Sequence, residues 1–129
     1  MKNSKKVVIK LGSSLLTNKR GGVNKAVLKN VVKDIVWLLN LKKEIIVVSS
    51  GAISLGRGKL NIKNDLTLNE SQAVAARGQI ELMTAWKNEF KKYKKQVAQI
   101  LLSPSDIKNK KSSKNAMATL ENLLNFKCV

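Results

Sequence analysis

The sequence predicts an α/β fold with a mainly parallel sheet. Three observations carry that expectation. Short apolar runs recur at Val7–Leu11, Glu44–Ser49 and Val97–Leu102, each of strand length and without a polar alternation. Segments with apolar residues at three- and four-residue steps separate them. Each run closes on serine together with glycine or proline. The predicted order is β-α-β-α-α-β-α. Strands joined through helices run parallel, and helices on both faces of the sheet account for strands that are apolar throughout. In such a sheet ligands bind at the carboxyl ends of the strands.

Val7-Val8-Ile9-Lys10-Leu11 reads as a buried strand, closed by Gly12-Ser13-Ser14. Residues 12 to 23 read as a loop. Asn24 suits a helix cap. After it Val27, Leu28, Val31, Val32, Ile35, Leu38 and Leu39 mark one face of an amphipathic helix that ends near Lys42 and Lys43. Glu44 to Ser49 is the second strand. A short helix starts near Ala52 and stops around Gly56-Arg57-Gly58. From about Glu70 to Tyr93 the pattern is helical again, through Ala73, Val74, Ala76, Ile80, Leu82, Met83, Trp86 and Phe90, with Gly78 as a point of division. Val97 to Leu102 is the third strand, followed by Ser103-Pro104-Ser105-Asp106. Lysine-rich residues 108 to 114 read as an exposed loop. Asn115 to Phe126 is a last helix carrying Met117, Leu120, Leu123 and Leu124. Trp37 and Trp86 read as core or interface residues rather than ligand platforms.

The chain has 129 residues, enough for one domain with a real core. No apolar run approaches a membrane span, and the basic start lacks the apolar region of a signal peptide, so a cytoplasmic protein is expected. Cys128 is the single cysteine and there is no histidine. Ser-His and Cys-His hydrolase schemes and histidine-bearing zinc sites are therefore excluded. The net charge of +17 attracts polyanions. Yet only Arg20, Arg57 and Arg77 are arginines, and the lysines are scattered, which argues against a dedicated nucleic-acid reader.

The strand ends carry the chemistry. Gly12-Ser13-Ser14, Ser49-Ser50-Gly51-Ala52 and Ser103-Pro104-Ser105-Asp106 are expected at one edge of a parallel sheet. Glycine admits close backbone approach, serine adds adjustable donors, and a helix starting after Gly51 adds unpaired N–H groups. Such an edge suits a phosphate or a carboxylate. Lys10 sits inside an apolar strand near its carboxyl end. By itself it reads equally as a snorkelling edge-strand lysine or as a phosphate ligand; the Gly12-Ser13-Ser14 turn favours phosphate. No G-x-x-x-x-G-K-[ST] loop is present, so a kinase here is not of the P-loop type. Phosphoryl transfer to a carboxylate needs no general base, because a carboxylate with a pKa near ~4 is already ionised.

The blocks "VVIKLGSSLLT", "IIVVSSGAISLGRGKL", "SQAVAARGQIELMTAWKNEF", "QVAQILLSPSDI" and "NAMATLENLL" occur in order along almost the whole chain. Together they resemble the glutamate 5-kinases, the gamma-glutamyl kinases of the amino acid kinase superfamily. The resemblance implies a three-layer α/β/α sandwich. It implies transfer of the ATP γ-phosphoryl group to the side-chain carboxylate of L-glutamate with Mg2+, the first step of proline biosynthesis. It assigns Lys10 to catalysis and, with Gly12 and Ser13, to ATP binding. Ser50, Gly51 and Ala52 are assigned to the substrate, and no protein residue to the metal. It also implies homo-oligomers and regulation by proline.

Two departures accompany it. Ser103-Pro104-Ser105-Asp106 stands where the family has a turn rich in threonine and arginine. Residues 1–129 correspond to the N-terminal part of an amino acid kinase domain, incomplete at its C-terminus and without the second substrate loop and the adenine-binding segment. The expectation is a chain of low stability and weak or absent activity unless a separate C-terminal half completes it. A non-catalytic remnant or interaction module is the alternative reading, and a basic nucleic-acid-binding domain a more distant one.

Overall fold

The computed structural model describes residues 4–129, so the basic start at Met1–Asn3 lies outside the described residues. Strand β1 (Lys6–Leu11) is followed by a single helical turn, α1 (Ser13–Leu16), and by helix α2 (Lys25–Asn40). Strand β2 (Glu44–Ser49) leads into helix α3 (Ala52–Leu60) and the long helix α4 (Leu68–Lys91). Helices α5 (Pro104–Lys108) and α6 (Lys110–Asn125) complete the order. β1 and β2 pair in parallel, from Lys6 opposite Glu44 to Leu11 opposite Ser49. The structure is thus α/β with a two-stranded parallel sheet.

Local sequence explains where the helices begin. The Asn24 side chain accepts from the Val27 amide at the start of α2. Thr67 and Glu70 form a reciprocal capping box at α4, and Ser103 and Asp106 form another at α5, with Pro104 in the first turn. Each satisfies amides that a helix end leaves without an internal partner. Asn109 accepts from the amides of Lys111 and Ser112. The lysine-rich segment expected as a loop is therefore helix: residues 110 to 114 form the first turns of α6. Lysine is a good helix former, and the asparagine cap outweighs the charge repulsion along that surface.

The sheet buries one face against α2 and α4. Leu11 and Ile45 join Leu28, Val32 and Ile35 of α2 and Leu82, Trp86 and Phe90 of α4 in one core. β1 alternates, contrary to the expectation of strands buried on both sides. Val7, Ile9 and Leu11 turn toward the core, while Lys6, Val8 and Lys10 are exposed. Helix α6 reaches that second face through the Lys6–Glu121 ion pair, at 3.5 Å.

The α4 stripe runs Val74, Gly78, Leu82, Trp86 and Phe90, a four-residue step on one helix face. Ile80 lies off that stripe and is exposed, as are Ala73 and Ala76. Trp86 is core and stacks on Phe90 with ring centroids 5.9 Å apart, whereas Trp37 is exposed.

Gly78 does not divide α4. The helix is continuous there, and glycine is required because a Cβ would overlap the Ala52 carbonyl oxygen and the Gly56 amide of α3. Gly56 meets the Val74 backbone in the same way, and Gly58 meets Gly21. The Gly56-Arg57-Gly58 stretch thus lies inside α3 and serves helix packing. Arg57 turns away to donate to the carbonyls of Lys63 and Asn64.

The third predicted strand does not form. Val97–Leu102 makes no strand ladder. A lone parallel bridge joins Gln96 to Cys128, with Ala98 N–H donating to Val129 O at 2.9 Å and Val129 N–H to Gln96 O at 3.0 Å. An apolar run becomes a strand only where a neighbour offers a ladder, and beside residues 99 to 102 there is an open cavity instead.

Two outcomes follow from this packing. Gly78→Ala should destabilise the chain by about 1–3 kcal/mol through forced separation of α3 and α4, read as a lower urea midpoint. An exposed helical glycine would give the opposite sign, because alanine is favoured there by about 1 kcal/mol. The second outcome concerns acid. The Thr67 backbone amide holds the Glu70 carboxyl below the usual range, and the Ser103 hydroxyl does so for Asp106. A lowered folded-state value means that the unfolded chain binds more protons, so these caps stabilise at neutral pH and fail as pH falls through the folded values. Helical circular dichroism should decline from about pH 4.5 downward, and Glu70→Ala should flatten that decline.

Candidate active site

The end of β1 and the end of β2 meet in one corner. The Ser50 amide donates to the Leu11 carbonyl at 3.1 Å, one step past the last paired residues. Gly51 follows with φ of 118°, a left-handed backbone that glycine tolerates and other residues resist. That turn starts α3 and seats Gly51 against α1. A Cβ on Gly51 would stand 3.3 Å from Thr17 Cγ2 and 3.8 Å from Ser13 Cα. The two strand ends are therefore in contact through residues 13, 17 and 51.

Polar contacts tie the corner. The Thr17 hydroxyl donates to the Ser13 carbonyl at 2.8 Å, and the Ser54 hydroxyl of α3 donates to Thr17 Oγ1 at 3.2 Å. On the core side the Trp86 indole N–H donates to Ser49 Oγ at 3.1 Å, fixing the last residue of β2 against α4. Ser13, Ser14 and Ser50 are exposed, and their hydroxyls make no hydrogen bond with any described residue. The first amides of α1 and α3 open on the same corner, since a helix gives its initial N–H groups no internal acceptor. Donors dominate this surface.

Lys10 lies opposite Val48 in the ladder, on the exposed face of β1. It makes no ion pair or hydrogen bond with a described residue. Its strand position is two residues before Gly12, so a cation stands beside the corner's donors. Gly12 caps α1 with its carbonyl, which accepts from the Leu15 and Leu16 amides.

The structure joins two of the three predicted strand ends. Ser103-Pro104-Ser105-Asp106 is occupied otherwise. Asp106 Oδ2 accepts from the Ser103 amide at 2.8 Å and from its hydroxyl at 2.6 Å, and no described contact links this cap to the corner. The sequence reading overlooked Thr17 and Ser54. A signal existed for Thr17: it lies four residues after Ser13, the spacing at which a threonine hydroxyl reaches back to a helical carbonyl.

Residues 5–128 match the amino acid kinase family. The chain belongs to the amino acid kinase family. Among curated relatives of this amino acid kinase chain, glutamate 5-kinase of Pelagibacter ubique is 45% identical over 124 residues, covering 95% of this chain and 34% of that protein. Glutamate 5-kinase of Geobacter metallireducens is 39% identical over 127 residues, covering 98% and 34%. That of Clostridium perfringens is 40% identical over 125 residues, covering 96% and 46%. The chain thus spans about a third to under half the length of these relatives. No helix among the described residues is long and apolar enough to cross a membrane.

The Gly51 turn gives the corner its test. Gly51→Ala should cost more than about 1 kcal/mol, because it combines a disfavoured left-handed backbone with crowding against Thr17. Thermal unfolding should register the loss. Ser14→Ala, exposed beside it, should leave the midpoint within about 0.5 kcal/mol of the parent.

Proposed function

We propose that this chain supplies the phosphate-facing portion of a glutamate 5-kinase. Residues 1–129 are then the N-terminal part of a kinase domain whose complete form is a three-layer α/β/α sandwich. The observation that carries the reading is the joined corner. The Gly12-Ser13 turn touches the Ser50-Gly51 turn, and Lys10 stands on the adjacent open face. That arrangement supports two anionic groups side by side. The kinship with glutamate 5-kinases from three bacteria supports ATP and L-glutamate as those groups.

In this proposal Gly12 and Ser13 face the ATP phosphates through backbone amides. Ser50 contacts glutamate through its hydroxyl, with Gly51 and Ala52 presenting the start of α3 to a carboxylate. Lys10 neutralises charge on the moving phosphoryl group. A glutamate side-chain oxygen attacks the γ-phosphorus, the bond to the β-phosphate oxygen breaks, and ADP leaves with that electron pair. The products are glutamyl 5-phosphate and ADP. The attacking carboxylate is ionised at neutral pH, so positioning and charge neutralisation suffice on this side of the reaction.

No residue of this chain is assigned to Mg2+, which would arrive on the ATP phosphates whose charge it would help to neutralise. The corner carries hydroxyls, amides and a lysine but no carboxylate, and no group of three or more Asp, Glu or Cys able to hold a metal occurs among the described residues. The chemistry assigned to this chain is therefore phosphate and substrate binding, together with charge neutralisation by Lys10. A cytoplasmic location and homo-oligomeric assembly belong to the same proposal, as does weak activity of the isolated chain.

The test is glutamate-dependent ADP release. It is run on the chain alone and on the chain mixed with the part of the Pelagibacter ubique relative that this chain does not match. Activity should be low alone and rise in the mixture. Lys10→Ala should reduce the risen rate by about 10²–10³-fold, the scale of a lost transition-state contact. Ser50→Ala should raise the KM for glutamate more than it lowers kcat. ADP release that is independent of glutamate, or unchanged by Lys10→Ala, would overturn the assignment.

A further inference from the structure

Four residues other than glycine hold a positive φ among the described residues, and three of them are lysines: Lys42 at 61°, Lys94 at 54° and Lys127 at 62°. Each stands just past the end of a helix, α2, α4 and α6 in turn. The three turns close alike. The Lys42 amide donates to Leu39 O and the Lys43 amide to Leu38 O. The Lys94 amide donates to Lys91 O and the Lys95 amide to Phe90 O. The Lys127 amide donates to Leu124 O and the Cys128 amide to Leu123 O. This double closure sets one residue in the left-handed region, where glycine is the usual occupant because a Cβ is strained there. Three times the chain carries lysine instead.

The parallel topology gathers these turns. Lys42 and Lys43 lead into β2, Lys94 and Lys95 into the bridge at Gln96, and Lys127 into its bridge partner Cys128. Lys5 and Lys6 lead into β1, with Lys6 opposite Glu44. Parallel strands start at one edge, so these lysines border the amino edge of the sheet, away from the Gly12 and Gly51 turns. Contacts agree with that placement. Lys5 pairs with Glu44 at 2.9 Å, and Lys43 Nζ reaches the Ser4 carbonyl at 2.6 Å. A hydrogen bond from Lys5, and after it the charges of Lys5, Lys6 and Lys127, hold the Glu44 carboxyl below its usual range. The side chains of Lys42 and Lys94 make no ion pair or hydrogen bond with any described residue.

Apolar side chains stand exposed among these charges. Leu41 and Phe126 immediately precede Lys42 and Lys127, and Trp37 lies one turn before Leu41 on α2. Phe126 is 73% exposed and Trp37 62%. None of Arg20, Arg57 and Arg77 lies in these turns.

We propose that the amino edge of the sheet is a docking surface for an anionic lipid bilayer, held by lysine charge and by shallow insertion of Leu41, Phe126 and Trp37. A general excess of lysine does not explain the three turns, because a left-handed backbone carries a strain that exposed helix positions do not. Nor does the helix dipole explain all of them, since Lys91 and Lys92 already stand at the end of α4. Clustered lysines draw a protein to an anionic membrane surface, and exposed aromatic rings suit its interface. A nucleic-acid surface would favour arginine and stacking rings, and Leu41 cannot stack. Docking at this edge leaves the corner at the opposite edge open.

The test is cosedimentation of the chain with vesicles of phosphatidylcholine, alone or with about one-third phosphatidylserine. One variant combines Lys42→Gly, Lys94→Gly and Lys127→Gly. A second places asparagine at the same positions, since it also tolerates the left-handed turn. A charge-matched control combines Lys108→Gln, Lys111→Gln and Lys114→Gln around the start of α6. The parent should bind only the anionic vesicles. The glycine variant should have a higher urea midpoint than the parent, yet bind at least about 10-fold more weakly, and the asparagine variant should bind as weakly. The control should lose much less. Leu41→Ser with Phe126→Ser should weaken vesicle binding and leave binding to a polyuridine oligonucleotide unchanged. Absent binding to anionic vesicles, or equal losses in the edge and control variants, would overturn the proposal. A lower urea midpoint for the glycine variant would also overturn it, since lysine would then serve the turn itself. Tighter binding to the oligonucleotide than to the vesicles, indifferent to Leu41→Ser and Phe126→Ser, would overturn it in favour of nucleic acid.

Discussion

The parallel pairing of β1 with β2 is the constraint from which the rest follows. A parallel pair needs a crossover, and α2 supplies it, burying Leu28, Val32 and Ile35 against the sheet. Because the two strands run the same way, their carboxyl ends arrive together. The Ser50 amide closes on the Leu11 carbonyl, and the Gly12 and Gly51 turns are forced to neighbour each other. Had the strands run antiparallel, Lys10 would lie near Glu44 and the corner would not exist.

Glycine sterics hold the second layer of organisation. Gly56, Gly58 and Gly78 are placed where backbone meets backbone, at α3 against α4 and at α3 against the turn that contains Gly21. Close approach of α3 to α4 draws the start of α3 down onto Thr17 and fixes the exit from β2. The Trp86–Ser49 hydrogen bond anchors the same strand end from α4. The corner is thus held from both helices, while the hydroxyls of Ser13, Ser14 and Ser50 make no hydrogen bond with any described residue.

The high positive charge plays a smaller structural part. The ion pairs Lys5–Glu44, Lys59–Glu81 and Lys6–Glu121 join separate elements at the surface, where such pairs contribute little to stability. The few carboxylates are used repeatedly: Glu81 meets both Arg77 and Lys59, and Glu70 and Asp106 cap helices. Cations without such partners remain, Lys10 among them, and leave the chain disposed toward anions.

The sequence by itself determined the α/β class, both strands of the ladder, the Asn24 cap and the candidate residues at the ends of β1 and β2. These are local signals: apolar runs, helical spacing and turn residues act over a few positions. Tertiary structure alone decided the rest. Gly78 reads as a helix breaker until α3 is laid against it, and the lysines at 110 to 114 read as a loop until Asn109 caps them. Val97–Leu102 has the composition of a strand but no neighbour to pair with, and a strand exists only as part of a ladder. The meeting of Ser13 with Gly51 was legible only as an expectation of parallel topology. Contact between residues far apart in the chain depends on which surfaces pack, and no local pattern encodes that.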